Sequence, residues 1–226
     1  MGWARRRWQR RGHRRWRVSL TVRDGNMQLG LGEGEYDAAY YRELGNNYRQ
    51  RLEFRLANLW RAAYVAGVLR PASVLDVGGG MGLLVEQLRA WGFPTMGLEL
   101  SRYAITQAPD HVQRAFVQGS LTALPFPDAA FDVVVSVNVL EHMYPSQVAG
   151  ALAECARVAR RGLYHEITVL EDSGVIHRDP THRSKWPASE WLRLLGEAHP
   201  GWWARRGPVV PRFKNGIFLL TRADER

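Results

Sequence analysis

Asp76 and four glycines within the next six residues form a group suited to holding a small ligand. Residues 76–82 are Asp-Val-Gly-Gly-Gly-Met-Gly, and they follow the apolar residues Val74 and Leu75. An apolar run without alternation predicts a buried strand of a parallel sheet. Glycines directly after such a strand allow a tight turn and a close approach of the backbone to a ligand. Because Leu84 and Leu88 recur at helical spacing, a helix should begin here with its first N–H groups facing that ligand. The stretch predicts a nucleotide-cofactor loop.

Histidines and carboxylates occur together at three later places. Glu141-His142 follows a predicted fourth strand, His165-Glu166 lies within a predicted fifth strand, and residues 177–183 follow in a loop. Ligands of open α/β sheets bind beyond the carboxyl ends of the strands, which is where these groups fall. An imidazole or carboxylate at such a place can take a proton from a hydroxyl. The histidines lack the paired spacing of a metal site, so no bound metal is expected.

Alternating strands and helices must bring these groups together. The alternation predicts an α/β fold, a Rossmann-like, doubly wound and mostly parallel sheet. Strands are predicted at residues 73–77, 94–100, 115–118, 131–136, 162–169, 202–206 and 216–222, and helices at 48–69, 82–91, 103–108, 145–159 and 187–198. The first helix is expected to pack on the sheet through a stripe that includes Leu52, Leu56 and Leu59. The last two strands predict an antiparallel hairpin at the edge of the sheet.

Glu99 ends the predicted second strand, 21 residues after Gly78. A carboxylate at this place accepts hydrogen bonds from ribose hydroxyls. The spacing Asp76-x-Gly78-x-Gly80-x-Gly82 differs from the Gly-x-Gly-x-x-Gly of dinucleotide-binding proteins. An acid before the first glycine repels a pyrophosphate and attracts a cation. Two structural alternatives stay open, since Asp76 could cap the following helix and Glu99 could be a solvated strand end.

Two further segments narrow the choice of cofactor. Residues 124–134 lead into the fourth strand, and residues 138–142, Asn-Val-Leu-Glu-His, follow it. Together with the glycine loop they resemble the class I S-adenosylmethionine-dependent methyltransferases of the methyltransferase type 11 group. The resemblance runs from about Tyr36 to the C-terminus and is most specific over residues 74–142. It implies a seven-stranded sheet with the last strand antiparallel, in agreement with the predicted hairpin.

The resemblance implies S-adenosyl-L-methionine as the cofactor, with Asp76 bound to its ammonium group. The residues expected to contact it are Asp76, Gly78, Gly79, Gly80, Glu99, Leu100, Ser120, Leu121 and Asn138. Asp76 and the glycines would hold the methionine part, with Asn138 beneath it. Glu99 would bind both ribose hydroxyls, and Ser120 and Leu121 would border the adenine. Ser120 departs from the aspartate common in the family, so the adenine contacts are expected to differ.

Residues 179–182, Asp-Pro-Thr-His, precede Trp186 and a tryptophan-containing helix. This element resembles a subset of the same group that acts on sugars, glycans or glycosylated metabolites. It implies an O-methyltransferase with a small-molecule or sugar acceptor. His182 is then the expected base, oriented by Asp179, and His142 is the second candidate. Their structural alternatives are a loop-stabilising hydrogen bond from His182 to Asp179 and a packing role for His142 against the cofactor.

The net charge of +9 is confined to one end of the chain. Residues 1–23 hold nine arginines and no acid, and the rest of the chain has 22 basic and 22 acidic residues. Residues 1–26 are therefore predicted to be a disordered basic tail and residues 27–226 a methyltransferase domain. Arginines interleaved with tryptophans can also bind nucleic acid or an anionic membrane surface. The alternatives are an RNA or protein methyltransferase that uses the tail, and a non-catalytic binding protein on a methyltransferase fold.

Cys155 is the single cysteine. One cysteine excludes an intramolecular disulfide and fits a cytoplasmic protein. Because it falls on the apolar stripe of a predicted helix, it is expected in the core. No stretch approaches the roughly 20 apolar residues of a membrane span. The sequence leaves the oligomeric state open.

Overall fold

The structure, a computed structural model, describes residues 36–43, 48–171, 179–208 and 216–223 of the 226-residue chain. The tail predicted over residues 1–26 lies outside the described residues. Within the described ranges, strands and helices alternate as the sequence predicts. None of the described helices is both long enough and apolar enough to cross a membrane.

The strands form one seven-stranded sheet in the order β3-β2-β1-β4-β5-β7-β6. They are β1 (Val74–Val77), β2 (Thr95–Glu99), β3 (Phe116–Gln118), β4 (Phe131–Val137), β5 (Ala159–Ile167), β6 (Trp202–Arg206) and β7 (Gly216–Arg222). β1 to β5 run parallel, whereas β7 is antiparallel to both β5 and β6. Almost every side chain of β1 and β4 is buried, as expected of central strands covered on both faces. The predicted fold class and terminal hairpin are confirmed.

The direction of strand addition reverses beside β1. β2 and β3 lie on one side of it, and β4 and β5 lie on the other. In doubly wound sheets the ligand crevice opens at the carboxyl ends of the strands at such a switch point. The glycine loop after β1, Glu99 at the end of β2 and residues 138–142 after β4 therefore meet at one edge of the sheet.

The connecting helices are α1 (Ala38–Glu43), α2 (Leu52–Tyr64), α3 (Leu83–Ala90), α4 (Arg102–Thr106), α5 (Asp110–Gln113), α6 (Pro145–Val158) and α7 (Ala188–Ala198), with a π-helical turn at Val65–Leu69 and a 3₁₀ turn at Leu140–His142. Four of them, α3, α4, α6 and α7, begin and end within two residues of the predicted bounds, whereas α1 and α5 were not predicted. Ser101 caps α4, because its Oγ accepts a hydrogen bond from Ala104 N–H at 3.2 Å. α6 begins with Pro145, which has no N–H to leave unpaired there. Cys155 is buried in α6, as predicted.

The helix predicted over residues 48–69 differs in extent and in the face it buries. α2 begins only at Leu52, and the three leucines of the expected stripe are exposed, Leu52 by 67%. The helix does pack on the sheet as predicted. The assignment of these leucines to the packing face was wrong, because that face carries Arg61 and Ala62. The Arg61 guanidinium donates two hydrogen bonds, of 2.7 and 2.5 Å, to the Glu166 carboxylate of β5. A buried charge is tolerated when it is paired in this way.

Candidate active site

The loop after β1 folds tightly against the end of β2. Gly78 N–H donates a hydrogen bond of 2.7 Å to the Leu98 carbonyl. Gly78 and Gly80 have φ values of +67° and +53°, which glycine adopts without strain. A Cβ at Gly78 would lie 2.3 Å from Val139 Cγ2, and one at Gly80 would lie 2.3 Å from Tyr48 Oη. Both positions therefore require glycine.

Glu99 ties the glycine loop to the end of β2. Its Oε2 accepts a hydrogen bond from Gly80 N–H and its Oε1 one from Ser101 N–H, each of 2.8 Å. Next to it, Gly79 N–H donates to the Leu98 carbonyl at 3.1 Å. Burial raises the pKa of Glu99, and the N–H donors lower it in part. Because Glu99 is only 7% exposed, the alternative that it is a solvated strand end is wrong.

Asp76 lies in β1 just before the loop and is 3% exposed. Burial raises its pKa to about 8, Glu99 adds to the rise, and Arg61 lowers it. Two carboxyl groups that share a buried region are stabilised in their ionised forms by a cation. The alternative that Asp76 caps the next helix is wrong, because Gly82 is the N-cap of α3 and no side chain caps it.

Leu100, Ser120 and Leu121 lie at the same edge, after β2 and β3. Leu121 is buried, and Leu100 and Ser120 are partly exposed. Ser120 Oγ lies 2.8 Å from Thr122 Oγ1 and accepts a hydrogen bond of 3.3 Å from Thr122 N–H. The serine hydroxyl is thus held by its own turn.

Asn138 begins the turn after β4. Its φ of +53° bends the chain, and its N–H donates to the Glu166 carbonyl of β5 at 2.8 Å. The next residue is Val139, whose side chain packs over Gly78. Asn138 and the glycine loop are therefore neighbours at the edge of the sheet.

Tyrosines in and beside α1 cover this edge. The Tyr36 carbonyl accepts a hydrogen bond of 2.5 Å from Ser101 Oγ, and the Tyr36 ring centroid lies 6.0 Å from that of His142. Tyr48 Oη accepts a hydrogen bond of 2.6 Å from Met81 N–H in the glycine loop. The segment therefore reaches from the end of β2 to the turn after β4. The sequence pattern placed Tyr48 in a helix and carried no signal for its contact with the loop.

Backbone hydrogen bonds join the segment after residue 178 to the turn after β4. The Glu141 carbonyl accepts from Arg183 N–H at 2.9 Å and from Ser184 N–H at 3.0 Å. Ser184 Oγ also donates to the Met143 carbonyl at 2.8 Å. Residues 179–182 are thereby brought against Glu141 and His142.

A chain of hydrogen bonds orients the His142 ring. Thr181 Oγ1 donates to Asp179 Oδ1 at 2.5 Å, and it lies 2.8 Å from His142 Nδ1. The threonine hydroxyl has one proton, which it gives to Asp179, so His142 Nδ1 is the donor to Thr181. That tautomer leaves the lone pair of His142 on Nε2. The sequence analysis singled out Asp179 and both histidines, but not Thr181, which links His142 to Asp179.

His182 and Glu141 complete this cluster. The His182 ring centroid lies 4.7 Å from that of His142, and His182 Nε2 lies 3.9 Å from Asp179 Oδ2. Glu141 Oε1 accepts a hydrogen bond of 2.9 Å from Thr168 N–H. The other oxygen, Glu141 Oε2, is buried and accepts no hydrogen bond from the described residues.

Burial sets the charge states in the cluster. It raises the pKa of Glu141 to about 7 and lowers the pKa of His142, which the neighbouring His182 lowers further. Burial alone would raise the pKa of Asp179, but the hydrogen bonds from Thr181 together with the neighbouring His142 and His182 lower it. The cluster thus combines neutral imidazole with an ionised aspartate.

His165 and Glu166 do not join this cluster. The His165 Nδ1 atom lies 2.7 Å from Ser136 Oγ, and burial lowers the pKa of His165 to about 3. Glu166 is bound by Arg61 and by Tyr164 Oη–H, the latter at 3.0 Å. These hydrogen bonds lie within the sheet and with α2, so they give no support to the expectation that this pair acts on a bound ligand.

This chain is similar to known proteins both in its sequence and in its structure. The profile of a family described as a methyltransferase domain matches residues 75–165. A ubiquinone biosynthesis O-methyltransferase from Alkalilimnicola ehrlichii is 34% identical over 176 residues, which cover 71% of this chain and 70% of that protein. An uncharacterized methyltransferase from Mycolicibacterium gilvum is 38% identical over 108 residues, 46% of this chain and 41% of that protein. This chain thus spans less than half the length of the Mycolicibacterium protein.

A solved structure shares the fold. The crystal structure of magnesium protoporphyrin IX methyltransferase from Synechocystis, with bound S-adenosylhomocysteine, superposes with a TM-score of 0.61. The superposition covers 81% of this chain and 93% of that chain, at 21% sequence identity. The seven-stranded sheet and its helices are therefore an arrangement already seen in a methyltransferase.

Proposed function

This chain belongs to the class I S-adenosylmethionine-dependent methyltransferases, and from that membership we propose that it methylates a hydroxyl of a small molecule or sugar. The observation that carries the proposal is the meeting of two groups of residues at one edge of the sheet. The glycine loop with Asp76 and Glu99 forms one group, and the histidine cluster after β4 forms the other. Tyr36 lies between the two groups, since its carbonyl is hydrogen-bonded to Ser101, which is itself bound to Glu99, and its ring packs against His142.

The first group fits S-adenosylmethionine. The cofactor has an ammonium group, a sulfonium, a carboxylate and two ribose hydroxyls, and it has no pyrophosphate. Asp76 would bind the ammonium group, and Glu99 would accept hydrogen bonds from the ribose hydroxyls. The glycines let the backbone approach the methionine part, and Asn138 would lie beneath it. Leu100, Ser120 and Leu121 would border the rest of the nucleoside.

The second group fits activation of an acceptor hydroxyl. Methyl transfer is an in-line displacement, so the enzyme must align the acceptor oxygen with the methyl carbon and help remove the hydroxyl proton. The hydrogen bonds through Thr181 to Asp179 orient His142 with a lone pair on Nε2 and stabilise a positive charge on its ring. His182 lies beside it and near Asp179. Both histidines are therefore proposed to act on the acceptor, and the geometry favours His142 as strongly as the sequence favours His182.

The similarity to a ubiquinone biosynthesis O-methyltransferase supports transfer to oxygen. A second candidate keeps the same cofactor and changes the acceptor. The nine arginines of residues 1–23 favour capture of RNA or an acidic protein by the tail. The balanced charge of the rest of the chain favours the small-molecule acceptor.

A methylation screen tests the proposed function. The full chain is incubated with methyl-labelled S-adenosylmethionine and sets of sugars, phenols, other hydroxylated metabolites and RNA. We expect label in an ether product of a small hydroxylated molecule, with equal turnover by a variant that lacks residues 1–26. Label only in RNA, lost on that deletion, would favour the second candidate. Absence of cofactor binding in calorimetry would contradict both.

Cofactor binding is expected to release a proton. At about pH 6.5 the buried Asp76 carboxyl, whose pKa is raised to about 8, is mostly protonated in the free protein. The cofactor ammonium favours the ionised form, so binding should release up to about one proton and tighten as pH rises toward 8. Calorimetry in two buffers of different ionisation enthalpy measures the number released. Asp76→Asn should abolish the release, and the same release from that variant would show that another group titrates.

A further inference from the structure

Three groups that transition metals prefer as ligands meet beside the acceptor side of the site. One nitrogen each of His142 and His182 and a carboxylate oxygen of Glu141 all lie within 4.8 Å of one another. All three residues are buried: His142 is 8% exposed, His182 is 6% exposed and Glu141 is 0% exposed. They come from two separate parts of the chain, which the backbone hydrogen bonds to the Glu141 carbonyl hold together.

Glu141 gives an independent indication of a cation. Oε1 is satisfied by Thr168 N–H, whereas Oε2 is buried and accepts no hydrogen bond within the described part of the chain. A buried carboxylate oxygen is costly unless a donor or a cation compensates it. A carboxylate oxygen of Glu141 and one nitrogen of each imidazole lie close enough together to share an ion, and that ion would compensate the buried carboxylate.

The surroundings of His142 match those of a metal-binding histidine. A ligand imidazole commonly donates its other N–H to a polar partner, which fixes the tautomer and the ring orientation. His142 Nδ1–H donates to Thr181 Oγ1, which donates to Asp179, and Nε2 is left to bind an ion. The arrangement was not expected from the sequence, because residues 142 and 181 are 39 positions apart.

We propose that Glu141, His142 and His182 bind one divalent transition-metal ion of the zinc or ferrous type, which takes the acceptor hydroxyl as a further ligand. Two histidines and one carboxylate form catalytic zinc sites and non-haem iron sites that keep open positions. Ligand atoms about 2.1 Å from an ion lie about 3–3.5 Å from one another. The three ligand atoms, which lie within 4.8 Å of one another, would therefore have to move closer together when an ion binds.

This inference rests on the proposed transfer to a hydroxyl and assigns its activation to the ion. Coordination lowers the pKa of the hydroxyl, which loses its proton to water. The resulting oxygen forms a bond to the methyl carbon while the carbon–sulfur bond breaks. The electron pair of that bond stays on sulfur, so a methyl ether and S-adenosylhomocysteine are formed. In the ion-loaded protein the two rings are ligands, and they accept no proton.

Cobalt binding tests the site without any acceptor. Untagged full-length protein is treated with a chelator, dialysed, and titrated with Co²⁺, whose visible absorption reports coordination by nitrogen and oxygen. We expect one Co²⁺ per chain, and loss of the absorption in Glu141→Gln, His142→Ala and His182→Ala. Thr181→Val should weaken binding by about 10- to 100-fold, since it removes the partner that orients His142. His111→Ala, at an exposed histidine on α5, is the matched control and should bind as the unchanged protein does.

Turnover gives the second readout. Chelator-treated protein should be inactive and should recover on addition of Co²⁺ or Zn²⁺, with S-adenosylmethionine binding and circular dichroism unchanged throughout. Co²⁺ binding that survives both Glu141→Gln and His142→Ala would overturn the site. Full turnover without metal would overturn the role of the ion and leave the histidines as proton acceptors. Failure of the proposed function looks different, because no acceptor would then be methylated although Co²⁺ still binds at the three residues.

Discussion

Glu99→Ala is expected to lower the affinity for S-adenosylmethionine by about 10²- to 10⁴-fold. The variant removes the proposed acceptor of two ribose hydroxyl hydrogen bonds, each worth about 1.5–3 kcal/mol because the acceptor is charged. It also removes the hydrogen bonds from Gly80 N–H and Ser101 N–H, which hold the glycine loop to the segment after β2. The variant therefore loses both the support for the glycine loop and the proposed contact with the ribose. Isothermal titration calorimetry with S-adenosylmethionine measures the change in Kd.

One further variant separates the effect on the loop from the effect of the charge, and another serves as a control. Glu99→Gln keeps the size of the side chain and an oxygen acceptor, so it should retain the loop better and lose mainly the charge. Glu197→Ala, on the exposed face of α7, removes a carboxylate of the same kind far from the site and should leave Kd unchanged. Equal Kd values for Glu99→Ala and the unchanged protein would mean that Glu99 serves only the fold.

The cofactor side of the site was the part most open to prediction. Asp76, the glycines and Glu99 are determined locally, because each stands at the end of a strand whose apolar run is visible in the sequence. Parallel pairing of β1 with β2 then brings the loop and Glu99 together without further information. The same logic placed Asn138 at the end of β4. Local pattern plus one topological rule was enough to bring these residues to one edge of the sheet, whereas their assignment to S-adenosylmethionine came from the family resemblance.

The acceptor side needed contacts between distant segments. His142, Asp179 and His182 were each singled out, but nothing in a linear pattern tells that Thr181 connects two of them. The link depends on backbone hydrogen bonds to the Glu141 carbonyl, which have no signature in side-chain types. The proposed metal site likewise depends on contacts between distant segments, which the spacing of the histidines along the chain does not reveal.

α2 shows how a correct pattern can give the wrong face. Leu52, Leu56 and Leu59 recur at helical intervals, and periodicity alone assigns them to the core. The structure buries Arg61 and Ala62 instead, because Glu166 offers a partner inside the sheet and alanine allows close approach. A tertiary ion pair outweighed the apolar stripe. Only the position of Glu166 on the neighbouring face of β5 could have revealed this.

The double variant His142→Ala/His182→Ala is expected to lower kcat by about 10²- to 10⁴-fold, the usual range for loss of a group that assists removal of a proton. The Kd for S-adenosylmethionine should not change, because neither ring is among the proposed cofactor contacts. The loss is expected whether the rings accept the proton themselves or hold an ion that activates the hydroxyl. Single-turnover kinetics with a labelled cofactor and the acceptor found in the screen measure kcat apart from cofactor binding.

Thr181, which joins His142 to Asp179, provides the test of a purely structural role for the cluster. Thr181→Val breaks the hydrogen-bonded chain and should lower kcat while leaving KM for the cofactor unchanged. Thr181→Ser restores the hydroxyl and should recover most of the rate, which a packing role for the threonine methyl group would not allow. His111→Ala controls for the loss of a histidine as such. Equal losses of rate and of thermal stability in all the cluster variants would assign the cluster to folding, because a group that acts only on the acceptor has no reason to change the stability of the free protein.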